Sequence, residues 1–229
     1  LGLTTRIAIS AMGTAGHSWQ QIIIFLALAS IVLGAIAAIN QSNIKRLLAY
    51  SSINNIGFAL VGLAAGTAEG VASVMSYLAI YVVMTIGSFV CVLQMKDKDG
   101  RAVEEISSLS GLSQTRPGLA AAFAIFMFSL AGIPPLFGFW AKFLVFDAAV
   151  AAGLTPLAAI GIAASVIGAF YYLKVIKTIY FDKPAEGFAE ERSPIDYGII
   201  TVCATVIVIG YFLNPVLDTA SAAAAASLF

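Results

Sequence analysis

The segment 118–150 is almost wholly apolar, carries no charge from Leu119 to Ala141, and is interrupted at Gly132-Ile133-Pro134-Pro135 ahead of a single lysine, Lys142. An unbroken helix of that length would reach roughly 50 Å, against a bilayer core of about 30 Å. Such a segment must break, tilt strongly or project. Here the break is legible. Pro134 and Pro135 lack N–H groups, so the carbonyls of Leu130 and Ala131 lose their helical donors. Gly132 and Gly138 loosen the two flanks, so the expected break covers 132–138 with Gly132, Pro134, Pro135 and Gly138 as its structural residues. In lipid the freed carbonyls need partners, so this stretch is expected to face protein or water.

Lys142 is the leading candidate for chemistry. A lysine at membrane depth costs at least a few kcal/mol unless it neutralises, meets water or a counter-ion, or snorkels to the interface. Held away from water it can surrender its proton, which arginine cannot, and that suits a proton relay. Snorkelling is the competing reading. Asp147, five residues on, lies about 140° round a helix and is a poor direct partner.

Composition agrees with a membrane setting. The chain is 60% hydrophobic and 10% charged, with a mean hydropathy of +0.96, whereas soluble domains carry about a quarter charged residues. The fold class is therefore all-α, a polytopic membrane helix bundle whose main partner is the lipid bilayer. A net charge of zero excludes nucleic acid, because no basic surface exists to neutralise phosphates. Cys91 and Cys203 sit in apolar runs without ligand spacing and read as small buried hydrophobes. With no P-loop, dinucleotide fingerprint or His/Cys cluster, no cofactor or metal is expected in this chain.

The apolar segments fall at about 1–12, 21–39, 44–65, 71–95, 118–150, 154–180 and 197–213. The first is too short to span and opens like the middle of a helix, so further residues are expected upstream of Leu1. Lys45, Arg46, Lys96, Lys98, Arg101, Arg116, Lys174, Lys177, Lys183 and Arg192 fall in or beside the loops 40–46, 96–117 and 181–194. The alternate loops, including that of His17, and the C-terminal tail have no Lys or Arg. The positive-inside rule puts the three basic loops in the cytoplasm and the C-terminus on the opposite side. Of the 12 basic residues, only Arg6 and Lys142 are left without a topological explanation.

A second pattern lies in 71–95. Tyr77, Tyr81, Thr85 and Ser88 recur at helical spacing on one face, which Ser73 extends. That stripe fits a hydrated proton path and fits ordinary helix–helix hydrogen bonding equally well. On charge alone, Lys45 reads as a topology anchor.

Two stretches together carry a family likeness: Gln41-Ser-Asn-Ile-Lys-Arg-Leu-Leu-Ala-Tyr-Ser-Ser-Ile-Asn-Asn-Ile-Gly-Phe58 and Ser129-Leu-Ala-Gly-Ile-Pro-Pro-Leu-Phe-Gly-Phe-Trp-Ala-Lys-Phe143. They resemble the antiporter-like membrane subunits of NADH:quinone oxidoreductase, respiratory complex I, and the run from Lys142 into Phe-Leu-Val-Phe is most similar to the N-type branch. The resemblance implies half of a fourteen-helix subunit, the later half, in a bacterial inner membrane. It implies proton translocation coupled to quinone reduction, within an enzyme whose FMN, iron–sulfur clusters and quinone belong to partner subunits. Neighbouring antiporter-like and small membrane-arm subunits would be its partners. Lys142 would be the lysine of the broken twelfth helix, on the outward half of the proton path. Lys45 would be the basic residue of the Ile-Lys-Arg motif, a candidate relay or coupling residue. Tyr77, Tyr81 and Thr85 fall where a sister subunit has two His and a Lys, so a relay there would use hydroxyls and water. The alternatives are a subunit of a cation/proton antiporter complex or membrane-bound hydrogenase, or a non-conducting scaffold.

Overall fold

A backbone surrounded by apolar side chains satisfies its N–H and C=O groups most fully as helix. In the computed structural model, which describes residues 1–12, 16–97, 100–185, 188 and 193–228 (side chains of 16 and 17 excepted), the bundle is helical. The described residues add only two isolated antiparallel bridges, Asn43 with Glu105 and Lys96 with Ala102. Lys98 and Arg192 of the basic loops, and the side chain of His17, lie outside the described residues.

The chain opens with α1 (Gly2–Arg6) and a π-helical turn at Ile7–Ala11. The long α2 (Gly16–Ile39) then packs along α3 (Ile44–Ala64). Asn43 caps α3, its side chain accepting the Arg46 N–H at 3.0 Å. Thr67 caps α4 (Ala68–Leu93) in the same way at 3.0 Å. Helix α4 is the hub of the bundle and touches α3, α6, α7, α9 and α10. A connector with the short α5 (Leu112–Thr115) leads to α6 (Pro117–Ala131) and α7 (Phe137–Ala151). They are followed by α8 (Thr155–Phe181), α9 (Pro194–Ile209) and α10 (Asn214–Ala226). Among the described residues, five helical stretches are long and apolar enough to cross a membrane: Ser18–Ile39, Ile44–Ala64, Ala68–Leu93, Thr155–Phe181 and Pro194–Ala226.

Two sequence expectations need correction. The break between α6 and α7 is shorter than 132–138, because Gly138 already stands in the first turn of α7. Its lack of a side chain serves close packing instead. A Cβ there would come 2.1 Å from the Ser129 carbonyl oxygen, and the Gly138 N–H donates to Ser129 Oγ at 3.0 Å. The two half-helices therefore touch end to flank. Gly132 does belong to the break: it closes α6 at φ 83°, a left-handed conformation that glycine adopts readily.

The last helical path is also longer than the expected segment 197–213. It begins at Pro194, passes through a 3-10 turn at Gly210–Leu213, and continues as α10. The alanine-rich end is a weak membrane signal but a strong helix former. It docks on α4, where Ser76 Oγ donates to Ser221 Oγ at 3.0 Å.

The connector is strapped to the bundle by backbone bonds, from Ile44 N–H to Glu104 O and from Ile106 N–H to Ser42 O, both 2.7 Å. Arg116, 8% exposed, donates to the Gln94 carbonyl at 3.1 Å, and the Gln94 side chain donates to Asp196. These contacts tie together the ends of α4, α6 and α9.

Candidate functional site

Lys142 projects from the middle of α7 and is buried, at 7% exposure. Its amine is bound inside the bundle. Nζ donates to the Ala131 carbonyl at 3.0 Å and to Ser165 Oγ of α8 at 2.9 Å, and sits 4.9 Å from the centroid of the Phe58 ring of α3. Phe58, 2% exposed, is held edge-on by Phe146 at 5.8 Å. The Ala131 carbonyl is available because its ordinary helical donor would be the nitrogen of Pro135, which carries no hydrogen. Gly132 completes the seat, since a Cβ at that position would meet Lys142 Cδ at 2.9 Å. Among the described residues, no ion pair involves Lys142. One side of the seat opens into a cleft of about 550 Å³ between α7 and α8, lined by Phe143, Phe146, Asp147, Val150, Ile162 and Val166 among others.

A second buried polar group lies along the same seam of α3 and α8. The Tyr77 hydroxyl donates to Asn55 Oδ1 at 2.8 Å. Asn55 Nδ2 donates to the Ser51 carbonyl at 2.8 Å and to Tyr172 Oη at 3.2 Å, while Ser51 Oγ and Tyr172 Oη are themselves bonded. Tyr81 stacks on Tyr77 at 6.3 Å, and Tyr171 lies against Tyr172 at 4.3 Å. Asn55 precedes Phe58 by one turn, and Ser165 precedes Tyr172 by two, so the cluster and the amine share facing stripes about 5–10 Å apart along the helices.

The structure therefore brings Tyr77 and Tyr81 into one cluster but does not extend it to the rest of the stripe. Ser88 spends its hydroxyl on the Met84 carbonyl of its own helix, at 2.7 Å, and Thr85 is only half-buried. Ser73 likewise donates to Gly70 O at 2.7 Å. Sequence reasoning missed Asn55, Ser51, Tyr172, Phe58 and Ser165. Ser51 and Asn55, four residues apart inside an apolar helix, were a readable signal. Ser165, a lone serine in a long apolar run, gave none.

Lys45 stands apart from both groups. Counting along α3, it lies about 15 Å from Asn55 and about 20 Å from Phe58. Its amine pairs with Glu104 at 2.8 Å, with side-chain exposures of 36% and 46%. The bond from Lys45, then that from Asn43 at 2.8 Å, holds the Glu104 carboxyl below the usual carboxylate range.

Comparison with known proteins agrees with this architecture. A family model described as "NADH:quinone oxidoreductase/Mrp antiporter, TM" matches residues 1–168. A protein of Rhizorhabdus wittichii named NADH-quinone oxidoreductase subunit N is 65% identical over 231 residues, which cover 100% of this chain and 48% of that protein. The chain thus spans about half the length of the curated relatives it matches. A chain of respiratory complex I from Thermus thermophilus superposes with a TM-score of 0.76 at 31% identity, covering 86% of this chain and 44% of that one. A chain of the Mrp complex from Dietzia sp. DQ12-45-1b gives 0.80 at 23% identity over 93% of this chain and 48% of that one, a likeness of fold alone.

Proposed function

The chain belongs to the NADH:quinone oxidoreductase/Mrp antiporter family, and from that premise we propose that it forms part of a proton-translocating membrane-arm subunit of a bacterial NADH:quinone oxidoreductase. The identity of 65% to a relative named subunit N of that enzyme supports this reading over an antiporter complex, since the likeness to the Mrp-complex chain, at 23% identity, is one of fold alone. The partners are neighbouring membrane-arm subunits. FMN, iron–sulfur clusters and quinone belong to those partners, and this chain supplies no redox centre. The membrane is the bacterial inner membrane. The basic loops face the cytoplasm, and the C-terminus lies on the other side.

Lys142 is the relay. It takes a proton from the polar seam of α3 and α8 and releases it outward, driven by charge changes that quinone reduction sets up elsewhere in the complex. The observation that carries this reading is the burial of its amine beside a helix break with, among the described residues, no carboxylate bound to it. A scaffold lysine that snorkels would have its amine at the interface instead. The energy scale is suitable. Moving one charge through about 100 mV corresponds to about 2.3 kcal/mol, comparable to the gain or loss of one buried hydrogen bond, about 1–3 kcal/mol. Small changes around the amine are therefore enough to turn it from acceptor to donor.

The test is Lys142→Ala in the whole subunit, assembled in its complex and reconstituted into vesicles. Protons pumped per NADH fall while the amount of assembled complex stays the same. Unchanged pumping refutes the relay.

A further inference from the structure

The amine of Lys142 meets partners from three elements: a carbonyl at the end of α6, a hydroxyl on α8 and an aromatic face on α3. An ammonium has three N–H bonds, and here three partners are available for them. None of the partners carries a formal charge. The carbonyl also belongs to the C-terminal end of α6, where the helix dipole is negative. The ring face adds a quadrupole that attracts a cation. Among the described residues, the direct partners of a charged Lys142 are thus dipoles.

We infer that Ser165 and Phe58 are positioning residues for Lys142, Ser165 being the partner that fits both protonation states of the amine and Phe58 the one that favours the charged state. The inference rests on the relay reading of Lys142. A serine hydroxyl accepts from an ammonium and, after rotation about its C–O bond, donates to a neutral amine. On release, one N–H bond of Lys142 breaks and its proton passes to water, while the electron pair stays on nitrogen as a lone pair. The Ser165 O–H then turns to donate to that lone pair. A carboxylate in the same position would accept from the ammonium only, and would trap the proton. The Ala131 carbonyl, also an acceptor only, loses its donor unless one of the two remaining N–H bonds stays turned towards it. Geometry permits this, since Nζ lies 3.0 Å from one oxygen and 2.9 Å from the other.

The experiment compares size with chemistry in the assembled, reconstituted complex, by protons pumped per NADH. Ser165→Cys keeps nearly the same volume but replaces a strong acceptor by a weak one, whereas Ser165→Thr enlarges the side chain and keeps the hydroxyl. Phe58→Leu removes the ring face, and Phe58→Tyr keeps it. Expected are Ser165→Cys and Phe58→Leu falling at least halfway to the Lys142→Ala level, with Ser165→Thr and Phe58→Tyr staying within twofold of the parent. Full pumping by Ser165→Cys or Phe58→Leu overturns the inference, and so does loss in Ser165→Thr equal to that in Ser165→Cys. If Lys142→Ala itself pumps normally, the relay reading fails first. If Lys142→Ala is impaired and the Ser165 and Phe58 variants are not, only the present inference falls. Ser165→Cys, being nearly isosteric, is the variant that keeps the test informative should Phe58→Leu fail to assemble.

Discussion

Lys142 and Lys45 present the same side chain in opposite settings. Lys45 stands at the mouth of α3, a third exposed, with a carboxylate at 2.8 Å. Lys142 is buried and bound by a carbonyl, a hydroxyl and a ring face. The exposed pair gains little, because water screens both charges and would solvate either partner alone. The buried amine is largely shielded from bulk water, so its neutral partners decide what it can do. A fixed counter-ion anchors a charge, whereas dipolar partners leave it free to come and go.

The sharpest way to break this contrast is to give Lys142 the kind of partner that Lys45 has. Ser165→Asp sets a carboxylate against the buried amine, and such a pair is strongly destabilised when either member loses its charge, by about 3–5 kcal/mol. The complex assembles, and protons pumped per NADH drop to the Lys142→Ala level. Pumping near the parental level would show that a counter-ion is tolerated and the contrast immaterial.

A smaller effect is expected in the neighbouring cluster. Asn55→Leu leaves the hydroxyl of Tyr77 without its acceptor, at about 1–3 kcal/mol for that stranded buried group, while Tyr172 keeps its bond to Ser51. The thermal unfolding midpoint of the detergent-purified complex falls. A midpoint equal to the parent's would mean that the tyrosines find other partners easily.

The smallest effect belongs to the exposed pair. Glu104→Ser leaves Lys45 facing water, and pumping is unchanged. The pair's contribution to stability follows the carboxyl, whose folded value lies below the ordinary one. It is therefore present above the ordinary carboxylate value of about 4.3 and vanishes as acidification passes the lowered one. Midpoints of parent and Glu104→Ser, compared from neutral pH downwards, differ slightly at first and then converge. A loss of pumping in Glu104→Ser would promote Lys45 from anchor to coupling residue.

Much of this molecule was legible before its coordinates. Pro134 and Pro135 announced the break through their missing donors, and the charge-free run around them singled out Lys142 while leaving a buried and a snorkelling amine both open. Tyr77 and Tyr81 were found by their spacing. Their partners were hidden because periodicity finds residues on one helix face, not which faces meet. Asn55 reaches Tyr172 across 117 positions, and Lys142 reaches Ser165 across 23. Gly138 was misread for a related reason. A glycine beside two prolines looks like slack, yet here it allows two backbones to touch. The end of the chain was misjudged because alanine contributes little hydropathy while forming helix readily, so α10 left only a faint trace.

The oxygen of Ala131 has a consequence for anyone trying to dismantle this centre. Main-chain atoms are not deleted by exchanging residues, so every single substitution at position 131 leaves that acceptor in place. Only an edit at Pro135 that restores an amide hydrogen could reclaim it for the helix. The fold has thus entrusted one contact of its most exposed-to-risk charge to the part of the polymer that mutation alters least.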